Sequence, residues 1–499
     1  MLFLLENLVI SRKSCTFAEN SEKKEDIFLI NSIMDKRIIF IIAIILSIGA
    51  FFVLPVDDDF YYFTAPHKYL NTKDLLPNGP FWRPFDVLWG ILMGKCPKMF
   101  PFLNHALVLI SYAYSVYGLN KLLNYCNISK VSQNIAMAIF CLSPALVATT
   151  YSVDSSNQCI SLALGIASLL YYQEHKFSSY ILMILAVFTK ESGIAWFAIT
   201  PLLNMLIQHR HNNTALPIIQ LKKVIRPWCI SLCIIIVYAV TRLCLDTYSP
   251  EVTNTTSRYS GGIGLNSIIG LGMIFTCATT VIDTVALFLE KNWFVTIATS
   301  IVSIAGLIVY IKKINWHNHS YLLILFFCIL AISSPHLVIK HPGEMHIYPT
   351  LWMIALSIGI LTSDAKWDKK ETIILYVYFI IAMFVFVHKG YHIYHIGKIA
   401  DARVRSAVEQ TDKIPIKLLI LDCDPVGNTY SVFQENGKRC WDEGKGTRIH
   451  WDLENPKQVD YKVIKPQELQ KYLNTFHNSA KGKYDACWIV RNNKVKIVK

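Results

Sequence analysis

Three consecutive carboxylates, Asp57, Asp58 and Asp59, follow directly on an apolar run in the stretch LPVDDDFYYF. A carboxylate beside a substrate hydroxyl can accept its proton during a reaction, and closely spaced carboxylates can also hold a hard divalent cation. A helix flank exposed to water is the alternative, but acids at the C-terminal end of a helix oppose the helix dipole and do not stabilise it. The triplet is therefore the first candidate for a catalytic site.

Other acidic and basic side chains occur in separate connections between apolar runs. Such side chains are costly in or beside a membrane span, so a set of them on one side of the bilayer predicts a site. The set comprises His67, Lys68, Arg83 and Asp86 in the same connection as the triplet, Asp154 in YSVDSSNQ, Lys190 and Glu191 in FTKESG, and His336, Lys340, His341, Glu344 and His346 in SSPHLVIKHPGEMHIYP. The convergence of these connections, rather than any one residue, indicates a site.

Members of this set also have structural alternatives. The sequence TKESG contains turn residues and would form a simple turn between two short helices. Arg83 follows Trp82, and the two side chains would anchor a loop at the lipid headgroups. His341 and His346 are five residues apart, which is not the spacing of two metal ligands on one helix face. The histidines alone therefore predict no metal site.

The composition indicates a membrane protein that crosses the bilayer many times. Of 499 residues, 53% are hydrophobic and 17% are charged, and the apolar residues form long blocks. The formal net charge of +13 comes from short Lys and Arg clusters between these blocks, as in loops that face an anionic cytoplasmic leaflet. This distribution argues against nucleic-acid binding. The thirteen cysteines include no C-x-x-C pair, so they predict no metal or redox site.

A transmembrane helix needs about 20 mainly apolar residues. By that measure we expect an all-α polytopic membrane protein with about 11 to 13 transmembrane helices. The predicted spans are Ile38–Leu54, Phe102–Leu119, Val131–Thr150, Cys159–Tyr172, Phe177–Phe188, Gly193–Ile207, Trp228–Leu245, Trp293–Ile311, Tyr321–Leu337, Ile347–Leu361 and Ile373–Val387. The segment Leu265–Leu289 is also apolar, but its path is ambiguous.

The basic residues predict which side of the membrane each loop faces. Lys36 and Arg37 place the start of the first span in the cytoplasm, so the acidic triplet is expected on the extracytoplasmic side. A single crossing by Leu265–Leu289 would place Lys312 and Lys313 outside, whereas a re-entrant, interfacial or hairpin segment keeps every basic loop inside. We prefer the second arrangement. It also predicts a cavity, because non-helical backbone at membrane depth needs protein or water around it.

The chain divides into three predicted regions. Residues 1–33 have a short apolar start and then a charged stretch, so we expect translation to begin at Met34 and this extension to be dispensable. Residues 34–390 form the transmembrane domain, with a first extracytoplasmic loop at 55–101. Residues 391–499 form a small soluble α/β domain on the extracytoplasmic side, in which IKLLILDCD predicts a buried strand.

Taken in order along the chain, several of these motifs resemble one enzyme superfamily. They are the acids after the first span, FWRPFDVLWG, LNHALVLISYAYSVYGLNKLL, Asp154, FTKESG and the late E-x-H-x-YPTLW. Together they resemble polyprenyl-phosphate-sugar-dependent glycosyltransferases of the GT-C superfamily, above all protein O-mannosyltransferases and related bacterial membrane enzymes. The resemblance covers about residues 34–387. The chain departs from the pattern in having three acids rather than two, and His346 where Arg is commoner.

The resemblance implies an activity and a role for each candidate residue. A sugar would move from a polyprenyl-phosphate donor to an extracytoplasmic acceptor at a bacterial inner membrane, as in hexosyl- and mannosyltransferases. Asp58 and Asp59 match the acid pair, with Asp58 as general base, and Asp57 is the additional acid. The donor phosphate would bind Arg83, Lys190, His341 and His346, while Asp154, Glu191, Glu344 and Tyr348 would contact the acceptor or support the site.

Two features of the mechanism follow from the same resemblance. A divalent cation, Mg²⁺ or Mn²⁺, held by Asp59 or Glu191 is compatible with the residues, because hard cations prefer oxygen ligands. Direct displacement with inversion at the sugar is expected, since no covalent enzyme nucleophile is required.

Three other functions are compatible with parts of the sequence. A transporter or flippase of lipid-linked sugars would share the cationic cavity, but the sequence has no repeat with paired broken helices. A polysaccharide polymerase or ligase also uses lipid-linked sugars, but it would lack the early acids. A protein whose function lay in the C-terminal domain alone would need only one span as an anchor. The acceptor, whether protein, lipid or glycan, is left open.

Overall fold

The computed structural model describes residues 35–54, 82–86, 88, 105–212, 222–245, 264–337, 343–410, 417–424, 429–430, 433–434, 458–475 and 483–498. Several predicted site residues lie outside these ranges, namely Asp57, Asp58, Asp59, His67, Lys68, Lys340 and His341. The roles predicted for them therefore stay predictions.

Up to Val408, the described chain is almost entirely helical. The α-helices are α1 (Lys36–Ile48), α2 (Ala106–Tyr125), α3 (Lys130–Leu142), α4 (Val147–Thr150), α5 (Ser156–Tyr171), α6 (Lys176–Thr189), α7 (Ala195–His211), α8 (Lys222–Leu245), α9 (Leu265–Thr279), α10 (Thr284–Phe288), α11 (Trp293–Lys313), α12 (His319–Leu337), α13 (Tyr348–Leu361) and α14 (Lys369–Val408). Short 3₁₀ turns lie between or after them at Gly49–Phe52, Pro144–Leu146, Glu191–Ile194 and Glu344–Ile347.

Seven of the helical segments in the described chain are long and apolar enough to cross a membrane. They are Ala106–Tyr125, Lys130–Thr150, Lys222–Arg242, Trp293–Lys313, His319–Leu337, Glu344–Leu361 and Lys369–Ala407. Large apolar side chains such as Phe177 and Phe294 are exposed on the helix surfaces, as expected where lipid covers them. The predicted helical, integral-membrane architecture is confirmed.

Seven is fewer than the predicted 11 to 13, because several predicted spans correspond to apolar helices that are shorter than these seven. Helices α5 and α6, for example, contain 16 and 14 residues. Helix α9 is also apolar but shorter than these seven segments. The turns that end such helices carry several of the candidate site residues.

The ambiguous apolar segment is a broken helix. Helix α9 ends at Thr279, and α10 begins only at Thr284. Asp283 caps α10 by accepting hydrogen bonds from the backbone N–H groups of Val285 and Ala286 at 3.0 and 3.1 Å. Within the break, the N–H of Val281 donates to Ser303 Oγ of α11 at 3.0 Å. Such a break is compatible with the predicted re-entrant or hairpin path, which stays a prediction.

Helix α14 joins the helical bundle to the C-terminal domain without interruption. Its 40 residues give it a length of about 60 Å. Asp368 and Glu371 form a capping box at its start, which satisfies otherwise unpaired backbone N–H groups. The predicted boundary between residues 390 and 391 therefore falls inside one continuous helix, so the two parts of the chain share an element.

The C-terminal domain contains a four-stranded sheet of order β4-β1-β5-β6. Its strands are β1 (Lys417–Asp422), β4 (Gln458–Val463), β5 (Ala486–Arg491) and β6 (Lys494–Val498), and a separate hairpin pairs β2 (Thr429–Tyr430) with β3 (Phe433–Gln434). Strand β1 is parallel to both β4 and β5, whereas β5 and β6 form a hairpin. Asn492 and Asn493 adopt positive φ at the turn of that hairpin, as two-residue hairpin turns require. The predicted small α/β domain and its buried strand are confirmed.

The last turns of α14 are fixed firmly to this sheet. Val404 and Ala407 share a hydrophobic cluster with side chains of β1, β5 and β6. Next to it, the buried Arg403 guanidinium donates to Asp422 at 3.2 Å and to Asp424 at 2.9 Å. Apolar packing and a paired buried charge together hold the domain to the helix.

Tyr151 holds the end of α1 close to α14. Its hydroxyl donates to the carbonyl of Leu46 at 2.8 Å. A Cβ at Gly49 would lie 2.1 Å from the Tyr151 hydroxyl, and one at Gly390 would lie 2.9 Å from its ring. Both glycines are therefore needed for this close approach, and the end of α1 lies beside the middle of α14.

Candidate functional site

The FTKESG segment forms the connection between α6 and α7. Lys190 is extended, with φ −154° and ψ 135°, and Glu191 begins the following 3₁₀ turn. Gly193 packs so tightly on the end of α6 that a Cβ there would lie 2.5 Å from the backbone of Ala186. This contact fixes the turn and with it the direction of the two charged side chains.

Lys190 is buried and binds only neutral groups. Its Nζ donates to Asn157 Oδ1 at 3.1 Å and to Gln158 Oε1 at 2.9 Å, both from the first turn of α5. Among the described residues, no carboxylate lies within 4 Å of this ammonium. Only 7% of Lys190 is exposed, so a nearly dehydrated positive charge has no direct counter-ion there.

Arg83 and Glu191 form an ion pair beside Lys190. Arg83 Nε donates to Glu191 Oε2 at 2.7 Å, and the backbone N–H of Trp82 donates to Glu191 Oε1 at 3.2 Å. Both charged side chains are about one quarter exposed. The first predicted extracytoplasmic loop and the FTKESG turn are thus in contact through this pair.

The Asp86 carboxylate is linked to Lys190 through the side chain of Asn157. Asn157 Nδ2 donates to Asp86 Oδ2 at 3.3 Å while its Oδ1 accepts from Lys190. Asp154 is half-buried in the turn that precedes α5. We call Arg83, Asp86, Asn157, Lys190 and Glu191 the Lys190 cluster.

The environment of Lys190 makes its positive charge unfavourable. Burial, and then the nearby positive charge of Arg83, lower its pKa from 10.5 to about 8, against the opposing effect of Asp154, Glu191 and Asp86. An anion bound next to it would relieve this penalty.

An apolar cavity of about 200 Å³ lies next to this cluster. Its lining includes Trp82, Phe188, Ile194, Ile234 and Tyr238, from the first predicted loop and helices α6 to α8. Trp82 stacks on Tyr238 with ring centroids 5.3 Å apart. Because Arg83 follows Trp82 directly, the cavity adjoins the charged group.

A second polar group surrounds Glu344. Its carboxylate accepts from Thr284 Oγ1 at 2.5 Å and from Lys389 Nζ at 3.0 and 3.1 Å, and it also accepts from the Tyr430 hydroxyl. These donors come from α10, α14 and the β2–β3 hairpin of the C-terminal domain. We call Thr284, Glu344, Lys389 and Tyr430 the Glu344 cluster.

His388, which precedes Lys389 on α14, contacts residues on both sides of α10. His388 Nδ1 lies 2.6 Å from Asp283 Oδ2, and His388 Nε2 lies 3.1 Å from Glu290 Oε1. An imidazolium, which donates from both nitrogens, satisfies both carboxylates at once.

The turn Glu344–Ile347 connects the two clusters. The carbonyl of Met345 accepts from Gln158 Nε2 at 2.5 Å and from Thr149 Oγ1 at 3.1 Å. Gln158 is therefore bonded to this turn through its amide N–H and to Lys190 through its amide oxygen.

The other predicted site residues of this region lie in different environments. His346 Nδ1 accepts from the N–H of Gly343 at 3.0 Å, and the rings of His336 and His346 are 5.0 Å apart. His336 Nε2 is buried without a hydrogen-bond partner among the described residues. Tyr348 is fully buried in the helical core, where its hydroxyl donates to Ser115 Oγ at 3.2 Å.

Glu191, predicted as a ligand of a divalent cation, accepts hydrogen bonds from Arg83 and Trp82. In the part of the chain that the structure describes, no three His, Cys, Asp or Glu side chains are grouped so that they could hold a metal ion. Asp59, the other predicted ligand, lies outside the described residues.

Sequence reasoning missed several members of these clusters. Asn157 and Gln158 end the motif YSVDSSNQ, at the start of an apolar helix. Two amides at that position could have indicated hydrogen-bonding partners for a buried charge. Lys389 follows the last predicted span by two residues, whereas Thr284 and Tyr430 have no comparable signal in the sequence.

These features define an integral membrane protein with a buried, charged site between its helices. No protein-family model and no curated protein matches the sequence. The chain is similar to the crystal structure of ArnT from Cupriavidus metallidurans bound to undecaprenyl phosphate, with 9% identity and a TM-score of 0.47, over 92% of this chain and 97% of that chain.

Proposed function

We propose that this protein is a membrane glycosyltransferase of the GT-C type, which transfers a sugar from a polyprenyl-phosphate donor to an extracytoplasmic acceptor. The observation that carries the proposal is the Lys190 ammonium, which is buried and bonded to two neutral amides. Arg83 lies near it, and Trp82, which precedes Arg83 in the chain, lines an apolar cavity. A cation beside an apolar cavity suits a lipid whose headgroup is an anion and whose tail is apolar.

The charge arrangement supports a phosphate at this position. A buried charge without a directly bonded counter-ion is unfavourable, so binding of an anion beside it is favoured. The described residues put a carboxylate directly on Arg83 but none on Lys190. Lys190 is therefore the primary phosphate-binding residue in this proposal, with Arg83, His346 and His341 as further contributors.

The cavity supports a lipid as the carrier of that phosphate. Its lining is aromatic and aliphatic, and its volume of about 200 Å³ suits the first part of a polyprenyl chain rather than a whole one. The remainder of the chain would lie in the bilayer. A free sugar phosphate would gain nothing from such a lining.

In the proposed reaction, the acceptor hydroxyl oxygen bonds to the anomeric carbon as the bond from that carbon to the phosphate oxygen breaks. Asp58 takes the hydroxyl proton, with Asp57 and Asp59 beside it, a step that contributes roughly 10²- to 10⁴-fold. The electron pair leaves on the phosphate, where Lys190 and Arg83 offset the negative charge. A single displacement inverts the sugar.

The path of the described chain supports the role of the acidic triplet. Leu54, the last described residue before it, packs against Gly397 of α14. The same helix carries Lys389, which binds Glu344. Glu344, Asp154 and Glu191 are assigned supporting roles, whereas Tyr348 is assigned none, because it lies in the helical core.

The experiment compares binding and turnover in purified protein. Lys190→Met is expected to abolish binding of geranylgeranyl phosphate, whereas Lys176→Met, an exposed lysine at the other end of α6, should bind it normally. Asp58→Asn is expected to bind the probe but to lose transfer from a radiolabelled polyprenyl-phosphate sugar. Unchanged binding by Lys190→Met would overturn the proposal, and normal transport with no transfer would favour a flippase.

A further inference from the structure

The C-terminal domain inserts one tyrosine into the helical bundle. Tyr430 of β2 is 6% exposed and belongs to the main hydrophobic core of the bundle. Lys389 Nζ lies 5.9 Å from the centre of its ring, and the ring of His392 meets it edge-on at 6.4 Å. Its hydroxyl donates to Glu344 Oε2. A side chain of the soluble domain is therefore part of the Glu344 cluster.

This contact is not needed to attach the domain to the bundle. Arg403, with its two carboxylate partners, and the apolar cluster around Val404 already fix the sheet to α14. Tyr430 acts elsewhere, on a carboxylate that begins the turn Glu344–Ile347.

A short hydrogen-bonded path leads from that turn to the proposed phosphate site. Next to Glu344, the Met345 carbonyl accepts from Gln158, and Gln158 in turn accepts from Lys190 at 2.9 Å. Any displacement of the turn changes the position of the Gln158 amide and hence of the Lys190 ammonium. Each step of the path is a direct contact between adjacent groups, so it is a continuous physical connection.

We propose that Tyr430 is a positioning residue for the donor-phosphate site, so that the C-terminal domain helps to build that site. The inference rests on the proposed function of Lys190. The Tyr430 hydroxyl holds Glu344 together with Thr284 and Lys389, and the turn then presents Gln158 to Lys190. Removal of the hydroxyl leaves Glu344 Oε2 with Lys389 as its remaining partner among these residues.

The test uses Tyr430→Phe, with Tyr461→Phe as its matched control. Tyr461 also donates its hydroxyl to a carboxylate, Asp422 at 2.6 Å, but within the C-terminal domain. Tyr430→Phe is expected to weaken binding of geranylgeranyl phosphate about fivefold, the effect of one net hydrogen bond, and Tyr461→Phe to leave it unchanged. Equal affinities for the two variants would overturn the inference.

A measurement on the unaltered protein covers the case in which Tyr430→Phe does not fold. Coupling between sites is reciprocal, so geranylgeranyl phosphate should slow amide hydrogen exchange in Thr429–Gln434 but not in Gln458–Val463. Unchanged exchange in the hairpin, with the probe bound, would also overturn the inference. If Lys190→Met still binds the probe, the proposed function fails instead, so the two failures are distinguishable.

Discussion

Two buried lysines lie at the predicted extracytoplasmic ends of the helices, and they have opposite surroundings. Lys389 is 2% exposed and forms an ion pair with Glu344, whereas Lys190 is 7% exposed and binds only the amides of Asn157 and Gln158. The first charge is bonded directly to a carboxylate, whereas the described carboxylates that act on the second, those of Asp154, Glu191 and Asp86, do so without an ion pair. Burial therefore does not distinguish a lysine that stabilises the fold from a lysine that binds a ligand. The charge of the groups bonded to the lysine does distinguish them.

The largest difference between substitutions of the two lysines is expected in the free energy of unfolding. Lys389→Met leaves the Glu344 carboxylate buried without its counter-ion, which costs about 3–5 kcal/mol of unfolding free energy. Lys190→Met removes a buried charge that has no direct counter-ion, so it should leave the free energy of unfolding unchanged or raise it. Thermal and denaturant unfolding of both variants in the same detergent measures this. Equal destabilisation of the two variants would contradict the comparison.

The second difference is expected in pH dependence. Only the protonated Lys190 attracts an anion, so affinity for geranylgeranyl phosphate should fall as the pH rises through about 8, approaching a tenfold loss per pH unit. Stability should change in the opposite direction. Between pH 8 and the ordinary value of 10.5 the unfolded chain binds more protons at this residue than the folded chain, so the free energy of unfolding rises with pH.

Lys190→Arg provides the control for the pH experiment. A guanidinium remains protonated throughout this range, so the variant should lose the pH dependence of binding. Titration calorimetry at several pH values measures both proteins. A pH profile that is the same in Lys190→Arg and the unaltered protein would assign the titration to another group.

The smallest effect is expected at the exposed ion pair. Arg83 and Glu191 are both about one quarter exposed, so Arg83→Gln should change the free energy of unfolding by less than about 1 kcal/mol. It should weaken probe binding by less than Lys190→Met does, because solvent screens the Arg83 charge. If Arg83→Gln has the larger effect on binding, Arg83 rather than Lys190 is the main phosphate-binding residue.

The candidate site could be predicted in part from the sequence. Arg83, Lys190 and Glu191 stand in loops between apolar runs, where a charge is unexpected, and the structure brings these three together. The motif E-x-H-x-YPTLW also predicted Tyr348 as a site residue, but its side chain lies in the helical core, where its hydroxyl bonds to Ser115. A motif identifies a segment, whereas the helix rotation decides which of its side chains face the site.

The Glu344 cluster could not be predicted, because its members are far apart in the chain. Thr284, Lys389 and Tyr430 are separated from Glu344 by 60, 45 and 86 residues. Each of them is an ordinary residue in its local sequence. Only the packing of α10, α14 and the β2–β3 hairpin around one carboxylate gives them a shared role.

The sequence by itself determined that the chain forms apolar helices, that charged residues collect at their connections, and that a small sheet domain follows. These properties depend on the transfer free energy and hydrogen bonding of neighbouring residues, which are local. The tertiary structure alone decided that, within the described chain, Lys389 is paired with a carboxylate and Lys190 with two amides, and that Tyr430 reaches the bundle. The partners of a buried charge are set by distant segments that pack around it, because a buried polar group is stable only with the groups that packing supplies.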